Sequence, residues 1–95
     1  MKRLFIIRHA KSSWSNPSLP DHKRPLNKRG LRDAPFMAKV LEKTGVSPDL
    51  ILSSPAKRAY TTACYFAEAL GIPEKDIQKE PRIYDSFPSD MVDII

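Results

Sequence analysis

The sequence holds one cysteine, two histidines and no long apolar run. A lone thiol, Cys64, excludes an internal disulfide framework and fits a reducing cytosol. A zinc site would need a second cysteine or clustered histidines, and neither is present, so no metal and no cofactor are expected. No apolar stretch approaches the roughly 20 residues that span a bilayer, which argues against a membrane role. The opening Met1-Lys2-Arg3-Leu4-Phe5-Ile6-Ile7 begins like a secretory signal, yet Arg8 cuts its apolar part well short of an h-region. A cytoplasmic location is the expectation. There is no internal repeat and no low-complexity tract. Nucleic-acid binding is also disfavoured, because neither a recognition helix dense in Arg and Lys nor an aromatic-rich sheet motif is found.

What is there suits one small α/β unit. Ninety-five residues allow one domain at most, and 41% hydrophobic residues suffice for a small core. The net charge of +5 is unevenly placed. Residues 1–32 carry nine Lys and Arg against Asp21 alone, a balance of +8, whereas residues 33–95 carry seven basic and ten acidic residues, a balance of −3. A cationic first third suits an anionic ligand such as phosphate, nucleic acid or an acidic protein surface; a solvated basic face fits the charge equally well.

Along the chain, Leu4 to Ile7 read as a strand buried on both faces, running straight into Arg8 and His9. Residues 11–30 lack periodicity and contain Pro17, Pro20 and Pro25, which makes a long loop anchored by a packed Trp14. Asn27 is a fair N-cap for a helix reaching about Thr44, with Gly45 as its stop. Leu31, Ala34, Met37, Val40 and Leu41 share one face of it, and Pro35 should kink it or delay its start. A second strand follows, from Leu50 to Leu52 or Ser53. Ser54 then caps another helix with Pro55 at its first position, carrying Ala59, Ala63, Phe66, Ala67 and Leu70 on one face and ending at Gly71. A weaker extended segment lies within Lys75–Asp85. The order β-α-β-α-β predicts a parallel sheet with crossover helices. Residues 89–95 read as the opening turn of a further helix, so residues 1–95 are expected to be the N-terminal part of a longer domain.

The chemistry gathers at one sheet edge. Arg8 and His9 end the first strand, and the helix after the second strand brings Arg58 in its first turn to the carboxyl edge, where parallel α/β sheets bind ligands. Free backbone N–H groups at a helix start favour an anion, and guanidinium forks match phosphate oxygens bidentately. A neutral imidazole held among them can attack phosphorus.

Arg8-His9-Ala10 after a buried strand, "RPLNKRG" before a helix and "SSPAKRAYTTA" opening the next together resemble the histidine phosphatase superfamily, over about residues 3–70. Ala10, where glycine is commonest, is similar to the branch of small proteins without a large inserted cap, the SixA-type phosphohistidine phosphatases. The resemblance implies a phosphoglycerate mutase-like α/β fold, with His9 as a nucleophile that becomes a transient phosphohistidine. Arg8 and Arg58 would bind the phosphoryl oxygens, and the reaction would need no metal. By their position just beyond His9, Lys11 and Ser12 either border the phosphate or stand exposed in the loop. The substrate would be phosphohistidine in a protein or a small phosphorylated molecule.

Two departures from the family pattern stand out. The family pocket holds a second histidine, but here only His22 remains, in the loop at no matching position, where it reads as a surface residue. Larger members carry a carboxylate acid near the third strand, for which Asp85 is the nearest candidate; a plain loop aspartate capping a turn is the other reading of it. A departing imidazole would lessen the need for that acid. The missing histidine gives weight to an alternative, a non-catalytic phosphate-binding or interaction module.

Overall fold

A computed structural model describes residues 5–7, 9, 12–16 and 18–83. Helix α1 spans Lys28–Lys43, strand β1 Ile51–Ser53, helix α2 Lys57–Ala69 and strand β2 Ile77–Lys79. Short 3-10 turns at Asp21–Lys23, Glu74–Asp76 and Pro81–Ile83 complete the elements.

The two strands pair in parallel, with Ile51 opposite Ile77, Leu52 opposite Gln78 and Ser53 opposite Lys79. The Glu80 N–H extends the ladder by donating to the Ser53 carbonyl at 2.8 Å. α2 connects them as a crossover, since parallel neighbours cannot be joined by a tight turn. This β-α-β unit is the parallel arrangement expected from the order of elements.

α1 forms where its signals lie. The Asn27 side chain accepts from the Gly30 N–H at 2.8 Å, and Thr44 closes the helix ahead of Gly45 at φ +83°. A positive φ of that size strains residues with a Cβ, so glycine suits the stop. Pro35 is accommodated inside the helix. The face turned inward is narrower than expected: Ala34 and Ala38 are buried, while Leu31, Met37 and Val40 are 46%, 51% and 43% exposed. Small residues let α1 approach α2 closely, and the larger apolar side chains flank that contact. The remaining core is Leu26, Ala56, Phe66, Ala67 and Ile77. Of these, burial of Phe66, Leu26 and Ile77 contributes roughly 1.5–3 kcal/mol each.

Three expectations need correction. Residues 5–7 are not a buried strand: among the described residues they pair with no neighbour, and Phe5, Ile6 and Ile7 are 47%, 76% and 48% exposed. An apolar run becomes a strand only when a partner edge accepts its hydrogen bonds, and among the described residues only β1 and β2 pair in that way. Second, α2 starts at Lys57 rather than at Pro55. Ala56 is buried and extended (φ −58°, ψ 137°), which breaks the helical path, and its carbonyl receives the first helical bonds from Ala59 and Tyr60. Ser54 caps the turn instead, its Oγ accepting from the Ala56 N–H at 3.2 Å. Third, Trp14 is 71% exposed and anchors the loop by one face only.

Candidate active site

The loop between residues 12 and 27 closes on itself before it meets the helices. Ser12 pairs with Leu26 in an isolated antiparallel bridge, and the Ser13 N–H donates to the Pro25 carbonyl at 2.7 Å. Proline at position 25 fits, because its carbonyl is needed and an N–H is not. The closure buries Ser12 and Leu26 and folds Arg24 inward.

Arg24 is 9% exposed. One of its terminal nitrogens donates to Ser12 Oγ and the other to Asp21 Oδ1 at 3.2 Å, while the guanidinium lies 3.5 Å from the centre of the Trp14 ring. Stacking on the indole face offsets part of the desolvation of this cation. Its Nε is buried without a hydrogen-bond partner among the described residues.

Arg58 arrives from the first turn of α2. Its Nη2 donates to Asp21 Oδ2 at 2.9 Å and its Nη1 to the Asp21 carbonyl at 2.7 Å, and its side chain is 13% exposed. Asp21 thus stands between two guanidiniums, each on its own carboxylate oxygen. Among the described residues, one carboxylate here meets two guanidiniums. Thr62, one turn further along α2, donates its hydroxyl to the Arg58 carbonyl at 2.8 Å.

His9 is half-buried and lines the same cleft as Arg58, Arg24, Ser12 and Thr62. The cleft measures about 900 Å³, with Met37, Val40 and Leu41 of α1 and Phe66 of α2 as its apolar side. The exposed apolar stripe of α1 therefore faces this space. Arg29, also lining the cleft, pairs with Asp33 at 3.2 Å, and Lys23 and Lys28 are exposed.

Of the residues singled out in the sequence, the structure brings His9, Ser12 and Arg58 to one cleft. Ser12 is there as an acceptor for Arg24. His22 is exposed in the 3-10 turn. Arg8, Lys11 and Asp85 lie outside the described residues. Sequence reasoning missed the Asp21–Arg24 pair and its hold on Arg58. The signal was present: Asp21 is the one acid among the first 32 residues and sits three positions before Arg24. Among the described residues no group of three or more His, Cys, Asp or Glu could hold a metal ion. No described helix is long and apolar enough to cross a membrane.

The fold and cleft define a class: an α/β protein with a cationic, histidine-bearing cleft where a parallel strand hands over to its crossover helix. Comparison with known proteins narrows it. The chain belongs to the histidine phosphatase superfamily (branch 1), whose profile matches residues 4–87. It superposes on SixA from Agrobacterium tumefaciens with a TM-score of 0.81 and 32% identity, covering 90% of this chain and 54% of that one. The protein histidine phosphatase SixA complexed with tungstate matches with a TM-score of 0.69 and 28% identity, over 80% of this chain and 47% of that one. The fold is accordingly the phosphoglycerate mutase-like fold of SixA. Among curated relatives, an uncharacterized chloroplastic protein of Arabidopsis thaliana is 43% identical over 84 residues. Phosphoserine phosphatase 1 of Hydrogenobacter thermophilus is 38% identical over 91 residues. The chain spans 38% and 39% of the length of these two proteins.

Proposed function

We propose that this protein is a metal-independent phosphatase that uses His9 as its nucleophile and acts on phosphohistidine in a phosphorylated protein. The observation that carries the reading is the convergence of His9 with Arg58 in one cationic cleft. A His9 ring nitrogen bonds to phosphorus while the P–N bond of the substrate breaks, and the departing imidazole takes a proton. Water then attacks the phosphohistidine on residue 9, releasing inorganic phosphate and restoring the imidazole. Arg58, joined by Arg8, neutralises charge on the phosphoryl oxygens, which is most of what a loose phosphoryl-transfer transition state requires. Lys11 and Ser12 border that group. Asp85 supplies a proton where the leaving group is poorer than imidazole. Support comes from the family, from the SixA likeness and from the cationic first third of the chain.

Phosphate release from a phosphohistidine-bearing protein tests the reading, with acid-labile phosphate on the enzyme as the trapped intermediate. Replacing His9 by Ala is expected to abolish both, a loss of about a thousandfold or more for a removed nucleophile. Undiminished phosphate release by His9→Ala would remove His9 from the mechanism. A second reading, a non-catalytic phosphate-binding module, draws on the exposed position of His22, which leaves His9 as the one histidine lining the cleft among the described residues. Oxyanion binding without turnover by the wild-type protein would favour it.

A further inference from the structure

We propose that Asp21 is a positioning residue of the phosphoryl site, setting the orientation of Arg58 and coupling it to Arg24. The inference rests on the reading of the cleft as a phosphoryl site and adds a residue to it. Asp21 lies 37 positions from Arg58 in sequence and holds it at two points, through a carboxylate oxygen and through its own backbone carbonyl. A two-point grip on the rigid, planar guanidinium fixes the plane of the group as well as its place. The other carboxylate oxygen holds Arg24, itself fixed by Ser12 and the Trp14 ring. The chain Trp14–Arg24–Asp21–Arg58 thereby transmits the closed shape of the 12–27 loop to the first turn of α2.

Two opposite effects on an incoming oxyanion follow from a carboxylate at this place. It repels the anion, and it spares the arginines the ordering that binding would otherwise impose. Exposure decides between them. The carboxylate side chain is 49% exposed, so water screens its repulsion, whereas the guanidiniums it organises are only 10% and 13% exposed and cannot relax into solvent. Orientation dominates, and loss of Asp21 weakens oxyanion binding.

The experiment is a double-mutant cycle read by calorimetric titration with tungstate, an oxyanion of phosphoryl-like charge and shape. Asp21→Ala is expected to weaken tungstate binding about tenfold, the lower end for removal of an outer-shell partner. In an Arg58→Ala background the same change is expected to cost less than about twofold, because residues acting as one unit are non-additive. Asp21→Asn keeps an acceptor oxygen and the side-chain shape. It should lose about threefold, and it serves as the test variant if the alanine form fails to fold. Equal losses with and without Arg58 would mean that Asp21 supports the scaffold only, and would overturn the proposal. So would tighter binding by Asp21→Ala, which would make Asp21 a competitor for the arginine. No tungstate binding by the wild-type protein would instead sink the reading of the site, a result distinct from either.

Discussion

Helix α2 carries a polar cluster on each of two sides, and the two clusters are built on different principles. Toward α1, Arg58, Thr62 and Phe66 recur every four residues and line the cleft that also holds His9. On another side, Tyr60 and Cys64 face the 3-10 turn at Glu74–Asp76 and strand β2. There the Tyr60 hydroxyl donates to Glu74 Oε1 at 3.3 Å, and the Lys79 ammonium sits 4.3 Å from the centre of the Tyr60 ring. Each cluster ties the helix to a neighbouring segment. They differ in balance: Glu74 and Lys79 offset one another, whereas Asp21 faces two guanidiniums. They differ also in reactivity. Burial, and then the Glu74 carboxylate, push the Cys64 thiol above its ordinary range, and burial pushes the Tyr60 phenol up as well. Both shifts lower the share of the ionised, reactive form. Two arginines around one carboxylate suit the phosphoryl site proposed above, while a self-neutralised set suits a fastening.

That contrast can be broken most sharply at Arg58. Arg58→Ala is expected to lower kcat/KM for a phosphohistidine-bearing protein about a hundredfold, the scale for losing one donor to a transition-state oxyanion. Tyr60→Phe should leave the rate within about twofold, because it deletes one half-exposed hydrogen bond outside the cleft. Comparable losses from both would erase the distinction between site and fastening.

A smaller effect should come from the seam between α1 and α2. Ala38 is fully buried, so Ala38→Leu inserts three carbons where small residues permit close approach. The expected cost is about 1–3 kcal/mol in urea unfolding, as for other overpacked cores. A neutral result would show the helices free to separate toward the cleft.

The smallest expected effect concerns Cys64. Because its folded pKa is raised, less thiolate is present at pH 8 than in an unfolded chain, and the thiolate is the form that reacts. Alkylation by iodoacetamide should run several-fold slower in the folded protein than in urea, and Glu74→Gln should recover part of the rate. A rate in the folded protein equal to that in urea would remove the protective role assigned to this cluster.

Much of this organisation was legible before any coordinates. Asn27 and Gly45 bracket α1 because a side-chain cap and a left-handed stop are local devices, needing only the residues themselves. Strand β1 at Ile51–Ser53 and the stop at Gly71, φ +73°, were readable for the same reason. The "RPLNKRG" and "SSPAKRAYTTA" segments gave the family and pointed to Arg58. Other features were not legible. Periodicity placed Leu31, Met37 and Val40 on a core face, but which part of an amphipathic face is covered depends on what lies opposite. Here Ala34 and Ala38 are buried, and the larger residues face the cleft or the solvent. The composition of Leu4–Ile7 suggests a buried strand but carries no information about a pairing edge, and Phe5, Ile6 and Ile7 are exposed.

The sequence by itself determined the local grammar of the chain: caps, stops, the β-α-β order, the cationic first third and the residues that mark the superfamily. These are properties of neighbours in the chain, or of residue chemistry. Only the tertiary structure decided that Asp21 would grip Arg58 across 37 positions, that Arg24 would be buried on Trp14, and that His9 would share their cleft. Such contacts depend on loop closure and helix packing, which set distances that no spacing along the chain encodes.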